Sequence, residues 1–280
     1  FYPIAELKAT PSPLVMQVGE CFYSEERLSG CVEVSAREAR HKSLMTDAGT
    51  MEWELEVHKA VACHTGILSG AFFQAVNALD SYWHGEGIKS FFRGTVLLNG
   101  IPYTVSPDTS FGYADKHWGK SFNRPWLQLA SGALRSERNG RLLRHSCIAV
   151  NGCCPRFLFL PLRRKLMLQL TYMGEDFEFG IKPFVLSRCR WETKETNKRL
   201  IWHIVAKNKN AVIKISASCT RQELMQLAYE GPDGVRSKLP LHSGGTGTGT
   251  IQLYRRTHGG RELLDTLHMD NMLCFYRRDN

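Results

Sequence analysis

Apolar and polar residues alternate with a period of two over most of this chain, and turn-forming clusters separate the alternating runs. Residues 88–96, then Asn99-Gly100, then residues 101–105 predict a hairpin, because Asn-Gly supplies the positive φ angles of a two-residue turn. Residues 126–134 and 142–150 flank Glu137-Arg138-Asn139-Gly140 in the same manner. Residues 166–172 are predicted to pair with 177–181 across Gly174-Glu175-Asp176. Segments 188–193, 199–206 and 212–218 form a meander with polar turns between them, and strands at 250–255 and 267–276 close the chain around His258-Gly259-Gly260.

Two segments carry helical spacing instead. Over residues 67–83, Leu68, Phe72, Ala75, Val76, Leu79, Tyr82 and Trp83 make one apolar stripe, and Gly85 is placed to end the helix. Thr220-x-x-Glu223 is a capping-box pattern, and Leu224, Met225, Leu227 and Ala228 continue it to Gly231-Pro232 as a short lid-like helix. The run from Gly244 to Thr250 alternates Gly and Thr, which invites a phosphate-loop reading. No Gly-Lys-Ser/Thr follows it, and a strand rather than a helix comes next, so it reads as a flexible approach to a strand. Short strands with regular turns and little helix define a mainly β protein, an antiparallel barrel or sandwich.

Composition narrows the partners. With 280 residues and 31.8 kDa, the chain can form one large β domain or two smaller ones. The formal charge of +9 raises the question of nucleic acid, but the basic residues fall in short clusters such as Arg255-Arg256 and Arg277-Arg278, outside any nucleic-acid-binding motif; no nucleic-acid partner is expected. The apolar run at 156–162 is too short to cross a bilayer. Arg163-Arg164-Lys165 after it offers a peripheral contact for anionic lipid, although a solvated turn is the plainer reading of so short a cluster. The nine cysteines have no C-x-x-C spacing and read as reduced thiols. The ten histidines show no metal-ligand spacing, so no metal is expected. Reduced thiols make the cytoplasm the expected compartment. The chain starts Phe1-Tyr2-Pro3 without a basic-then-apolar leader to support secretion, and a piece of a longer protein short of an N-terminal strand is one expectation.

The densest chemistry lies in Tyr113-Ala114-Asp115-Lys116-His117-Trp118-Gly119-Lys120-Ser121-Phe122, with Pro125-Trp126 and Gln128 just beyond. Aromatic and ionisable residues interleaved this closely suit a pocket whose apolar walls meet a few polar groups. The segment resembles the Tyr-x-Glu-Lys-x-Trp-Gly signature of the tocopherol cyclase family, which continues into Phe-Pro and a Trp-rich strand. His84-Gly85, the strand Phe92-Arg93-Gly94-Thr95-Val96 and the Asn99-Gly100 turn resemble the family's preceding hairpin. Three positions depart from it: Asp115 replaces the usual Glu, Asn123 follows Phe122 in place of Pro, and Gln128 stands where a second Trp is usual.

The resemblance implies a lipocalin-like architecture of two barrel-like halves, divided here at 1–125 and 126–280, around an elongated lipophilic ligand. It also implies ring closure by addition of a phenol oxygen across a prenyl double bond, a reaction needing a proton donor, an aromatic environment for a carbocation and a proton acceptor, with no cofactor. Asp115 is the expected acid, kept protonated by an apolar pocket, and His84 or His117 would orient it or accept the phenolic proton. Tyr113, Trp118, Phe122, Trp126 and Gln128 are the expected substrate-binding residues. In an extended strand Tyr113, Asp115 and His117 share one face and Ala114, Lys116 and Trp118 the other, and the first face is expected to line the cavity. A hydratase or isomerase of terpenoid-like substrates would use the same acid. A non-catalytic lipocalin-like carrier is the competing class, and its mark would be an Asp115 neutralised by Lys116 or Arg124.

Overall fold

Asn99 and Gly100 take φ angles of 52° and 77°, so the chain reverses within two residues and Leu98 faces Ile101 across the hairpin. Met173 and Gly174, at 52° and 88°, do the same and set Tyr172 opposite Glu175. These turns fix the registers of a structure that is almost entirely antiparallel sheet. The computed structural model describes residues 2, 4–11, 13–40, 46–62, 81–119, 125–154, 156–157, 160–161, 164–180, 186–227 and 241–278.

The first sheet contains β1 (Lys8–Pro11), β2 (Leu14–Val18), β3 (Cys21–Ser24), β4 (Arg27–Val34), β5 (Gly49–Val61), β6 (Ser81–Leu98) and β7 (Ile101–Val105) in sequence order, with β8 (Phe111–Gly119) paired to β6. The remaining strands are β9 (Trp126–Ser131), β10 (Ala133–Ser136), β11 (Cys147–Cys153), β12 (Arg156–Phe157), β13 (Leu160–Pro161), β14 (Lys165–Tyr172), β15 (Glu175–Phe179), β16 (Arg188–Glu195), β17 (Arg199–Lys207), β18 (Ala211–Thr220), β19 (Met225–Leu227), β20 (Leu241–Thr257) and β21 (Gly260–Arg277). The second sheet has the order β15-β14-β11-β9-β21-β20-β18-β17-β16, with β10 on β21 and β19 on β20, while β12 and β13 pair alone.

Contacts divide the chain into two compact units, Phe1–Ala62 with Lys89–Ala114, and Cys63–Ile88 with Asp115–Asn280. β6 and β8 therefore contribute to both. Compared with a division at residue 125, the second unit also takes in residues 63–88 and 115–125.

Within the second unit, alternation sorts side chains onto two faces. Leu127 and Leu129 of β9, Ile148 and Val150 of β11, Leu166, Leu168 and Leu170 of β14, and Trp202 and Ile204 of β17 belong to one buried apolar cluster. Residues that alternate with them, among them Trp126, Gln128 and Asn151, occupy the other face.

Two predicted elements take other forms. Thr220 makes no side-chain cap; a 3-10 turn spans Arg221–Glu223, and Met225–Leu227 then pairs with β20, so the predicted lid helix at 220–231 is replaced by an edge strand over its described part. Leu224 turns inward, 7% exposed, while Met225, Gln226 and Leu227 are all exposed, and pairing with β20 wins over the capping-box pattern. Of the predicted helix at 67–83, residues 67–80 lie outside the described residues, and residues 81–83 open β6.

The Gly-Thr run is not a flexible approach either, because it forms the first half of β20, with register shifts between Gly244 and Gly247 and between Gly247 and Gly249. Glycine is required there for close approach: a Cβ on Gly249 would sit 2.6 Å from the Ser216 carbonyl oxygen and 2.8 Å from the Ala217 Cα.

Candidate site on the second unit

β8 enters the second unit at Asp115, and its pleat sends Asp115 and His117 to one side and Lys116 to the other. Lys116 bonds Glu86 of β6 at 2.7 Å, so the neighbouring cation expected of a plain surface pair is engaged on the opposite face. Asp115 Oδ2 instead accepts three hydrogen bonds. The Trp83 indole N–H donates at 2.7 Å, the Gln128 amide Nε2 donates at 2.7 Å, and His117 Nε2 lies at 3.0 Å. His117 Nε2 also lies 3.0 Å from Gln128 Oε1, so a proton on that nitrogen would be shared between two acceptors. Gln128 thus uses both ends of its amide on the pair, an arrangement that a Trp at this position could not make.

Burial by itself would push the Asp115 carboxyl up, but the hydrogen bond and charge of His117, then the donors Trp83 and Gln128, outweigh it and hold the group below the usual carboxylate range. The expectation of a protonated acid at Asp115 is therefore corrected: three converging donors stabilise the anion more than the partly open surroundings penalise it. Its side chain and that of His117 are each 19% exposed, so the pair is not sealed from solvent. Trp126, on the same face of β9 as Gln128, meets the His117 ring edge-on at 5.2 Å and packs against Phe275 of β21 at 6.0 Å.

Of the residues expected from sequence, Asp115, His117, Trp126 and Gln128 come together here. By the alternation of β6, His84 shares the face of Glu86, while Trp83 lies on the face of Asp115. Tyr113 is half-buried on β8 and falls in the first unit. Trp118 lies on β8 with its side chain outside the described residues, as does Phe122 altogether. Trp83 was expected in a helical stripe, and only the alternation of Trp83-His84-Gly85-Glu86-Gly87 hinted otherwise; Phe275 is distant in sequence and gave no signal. Among the described residues no group of three or more His, Cys, Asp and Glu is placed to hold a metal ion. A depression of about 340 Å³ on the first unit is lined by Glu20, Cys31, Glu52, Trp53 and Glu54, but Glu54 is engaged by Arg27 in a two-pronged ion pair.

The class defined by this fold and site is an antiparallel β protein carrying an aromatic-walled carboxylate–imidazole–amide cluster. No family model matches the chain, and no curated protein matches it. Among solved structures, kievitone hydratase from Nectria haematococca is similar with a TM-score of 0.43 at 10% identity, over 90% of this chain and 65% of that chain. The chain thus spans less than two thirds of that enzyme's length, and a likeness this loose carries no argument about activity.

Proposed function

We propose that the second unit carries a proton-transfer site for a lipophilic, prenyl-type substrate, acting in the manner of a tocopherol cyclase. The observation that carries this reading is the convergence of Trp83, His117 and Gln128 on one carboxylate oxygen beside the ring of Trp126. Ring closure of this kind is an isomerisation: the phenol O–H bond breaks, a C–O bond closes the ring, and a C–H bond forms at the former alkene. Protons balance, so one group that accepts and returns a proton suffices. His117 takes that role, with Asp115 and Gln128 together fixing the ring's orientation. Trp126 and Phe275 offer aromatic faces to a developing cation, an effect on the order of 1–2 kcal/mol each when water is excluded.

The test is incubation with a geranylated hydroquinone in D2O, followed by mass spectrometry. Turnover should give a ring-closed isomer carrying one carbon-bound deuterium, and His117→Gln should abolish it. A second reading is favoured by the saturation of Asp115, whose Oδ2 already has three protein donors: a non-catalytic binding protein for an apolar ligand, which would return the probe unchanged. A hydratase or terpenoid isomerase on the same centre would show instead as a product heavier by water or as a shifted double bond.

A further inference from the structure

Asn151 lies in the middle of β11, directly opposite Gln128 of β9, and Gln128 in turn lies opposite Phe275 of β21. Residues in direct register point to the same face, with Cβ atoms about 4.5–5.5 Å apart, so Asn151 adjoins the amide that orients His117. It is 3% exposed, and its Nδ2 has no hydrogen-bond partner among the described residues. Gln128 does not satisfy it, because the Gln128 oxygen is turned to His117 and its nitrogen to Asp115.

An unpaired buried amide donor is costly, and packing gives no reason for it. The flanking residues on that face of β11 are Ala149 and Cys153, and across the other edge stand Met167 of β14 and, diagonally, the buried Gln169, so apart from that amide the sheet neighbours of Asn151 beyond Gln128 ask for no amide at this position. A donor kept at such a place beside a polar cluster fits an acceptor supplied from outside the chain.

We propose that Asn151 is an oxygen-binding residue of this site, its Nδ2 donating to a hydroxyl or carbonyl oxygen carried by the lipophilic ligand. It rests on the reading of the Asp115–His117 face as a ligand site, and it narrows the ligand to one that presents an oxygen acceptor next to its apolar chain. Asn151 is thus a determinant of affinity and orientation, distinct from the proton-transfer residues.

The test compares two probes, geranylhydroquinone and geranylbenzene, by titration of intrinsic tryptophan fluorescence with wild type, Asn151→Leu and Asn151→Ala. The expected result is about a tenfold loss of affinity for geranylhydroquinone, the loss of one hydrogen bond, with geranylbenzene affinity unchanged. Asn151→Leu should be no less thermally stable than wild type, since it removes an unsatisfied donor. Equal weakening of both probes, no change in either, or failure of both variants to fold would make Asn151 a packing residue and overturn the proposal alone. If wild type binds neither probe, the reading of the site as one for prenylated ligands falls as well.

Discussion

Replacing Asp115 by Asn removes a charge while keeping shape, and the structure sets the cost. Three donors reach Oδ2 at 2.7, 2.7 and 3.0 Å. Hydrogen bonds to charged groups contribute about 1.5–3 kcal/mol each, roughly twice the neutral kind, so a neutral acceptor gives up on the order of 1 kcal/mol per bond. His117 also loses its counter-charge. With the pair 19% exposed, solvent screens part of this, and the expected destabilisation is about 2–3 kcal/mol. At about 2–4 °C per kcal/mol for a unit of this size, the transition of the second unit should fall by roughly 4–12 °C. Because the folded-state pKa of Asp115 lies below its ordinary value, the carboxylate's contribution is complete above the unfolded pKa of about 4 and disappears as pH falls through the folded value. Wild type and Asp115→Asn should therefore differ most above about pH 5 and converge in more acid solution. Urea titrations across that range are the assay, and a difference that is absent at neutral pH or constant down to strong acid would refute the account of the cluster.

Trp83→Phe keeps a ring but deletes one donor, so the Asp115 carboxyl should titrate at higher pH, readable by carbon-13 NMR of labelled aspartate. Lys116→Ala, on the same strand but the opposite face, should cost about 1 kcal/mol or less, because the Lys116–Glu86 pair is half-exposed on the lysine side. Gly249→Ala should destabilise by about 1–3 kcal/mol or more in urea unfolding, since its Cβ would meet backbone atoms of β18 that cannot swing away. Cys189, whose thiol burial pushes up to about 11, should react with a thiol reagent far more slowly in the folded protein than after denaturation.

The hairpins were legible because their turns are local: Asn99-Gly100 states a two-residue reversal in two letters, and the pairing of Leu98 with Ile101 follows from it. The edge strand at Met225–Leu227 was not, since a capping-box pattern and a strand compete over the same few residues and the deciding partner, Ser243 to Leu241, is supplied from another part of the chain. The Gly-Thr run failed for a similar reason, because its glycines answer to the backbone of β18 opposite them.

The same division runs through the site. Asp115 and His117 could be placed on one face from spacing alone, whereas Trp83 comes from 32 residues upstream of Asp115 and Gln128 from 13 downstream, through contacts no local pattern encodes. What those distant residues change is the charge state. An aspartate read only among aromatic neighbours looks like a buried acid kept neutral; the same aspartate with an indole, an amide and an imidazole directed at one oxygen is an anion. On the proposed reading the proton donor at this site is the imidazole, and a variant that preserves the His117 ring while neutralising Asp115 separates the two roles. If His117 carries the proton, Asp115→Asn should slow turnover of a geranylated hydroquinone by about a hundred-fold or more through loss of the carboxylate that holds the imidazole in place. His117→Gln should abolish it, and equal residual rates in the two variants would place the proton elsewhere.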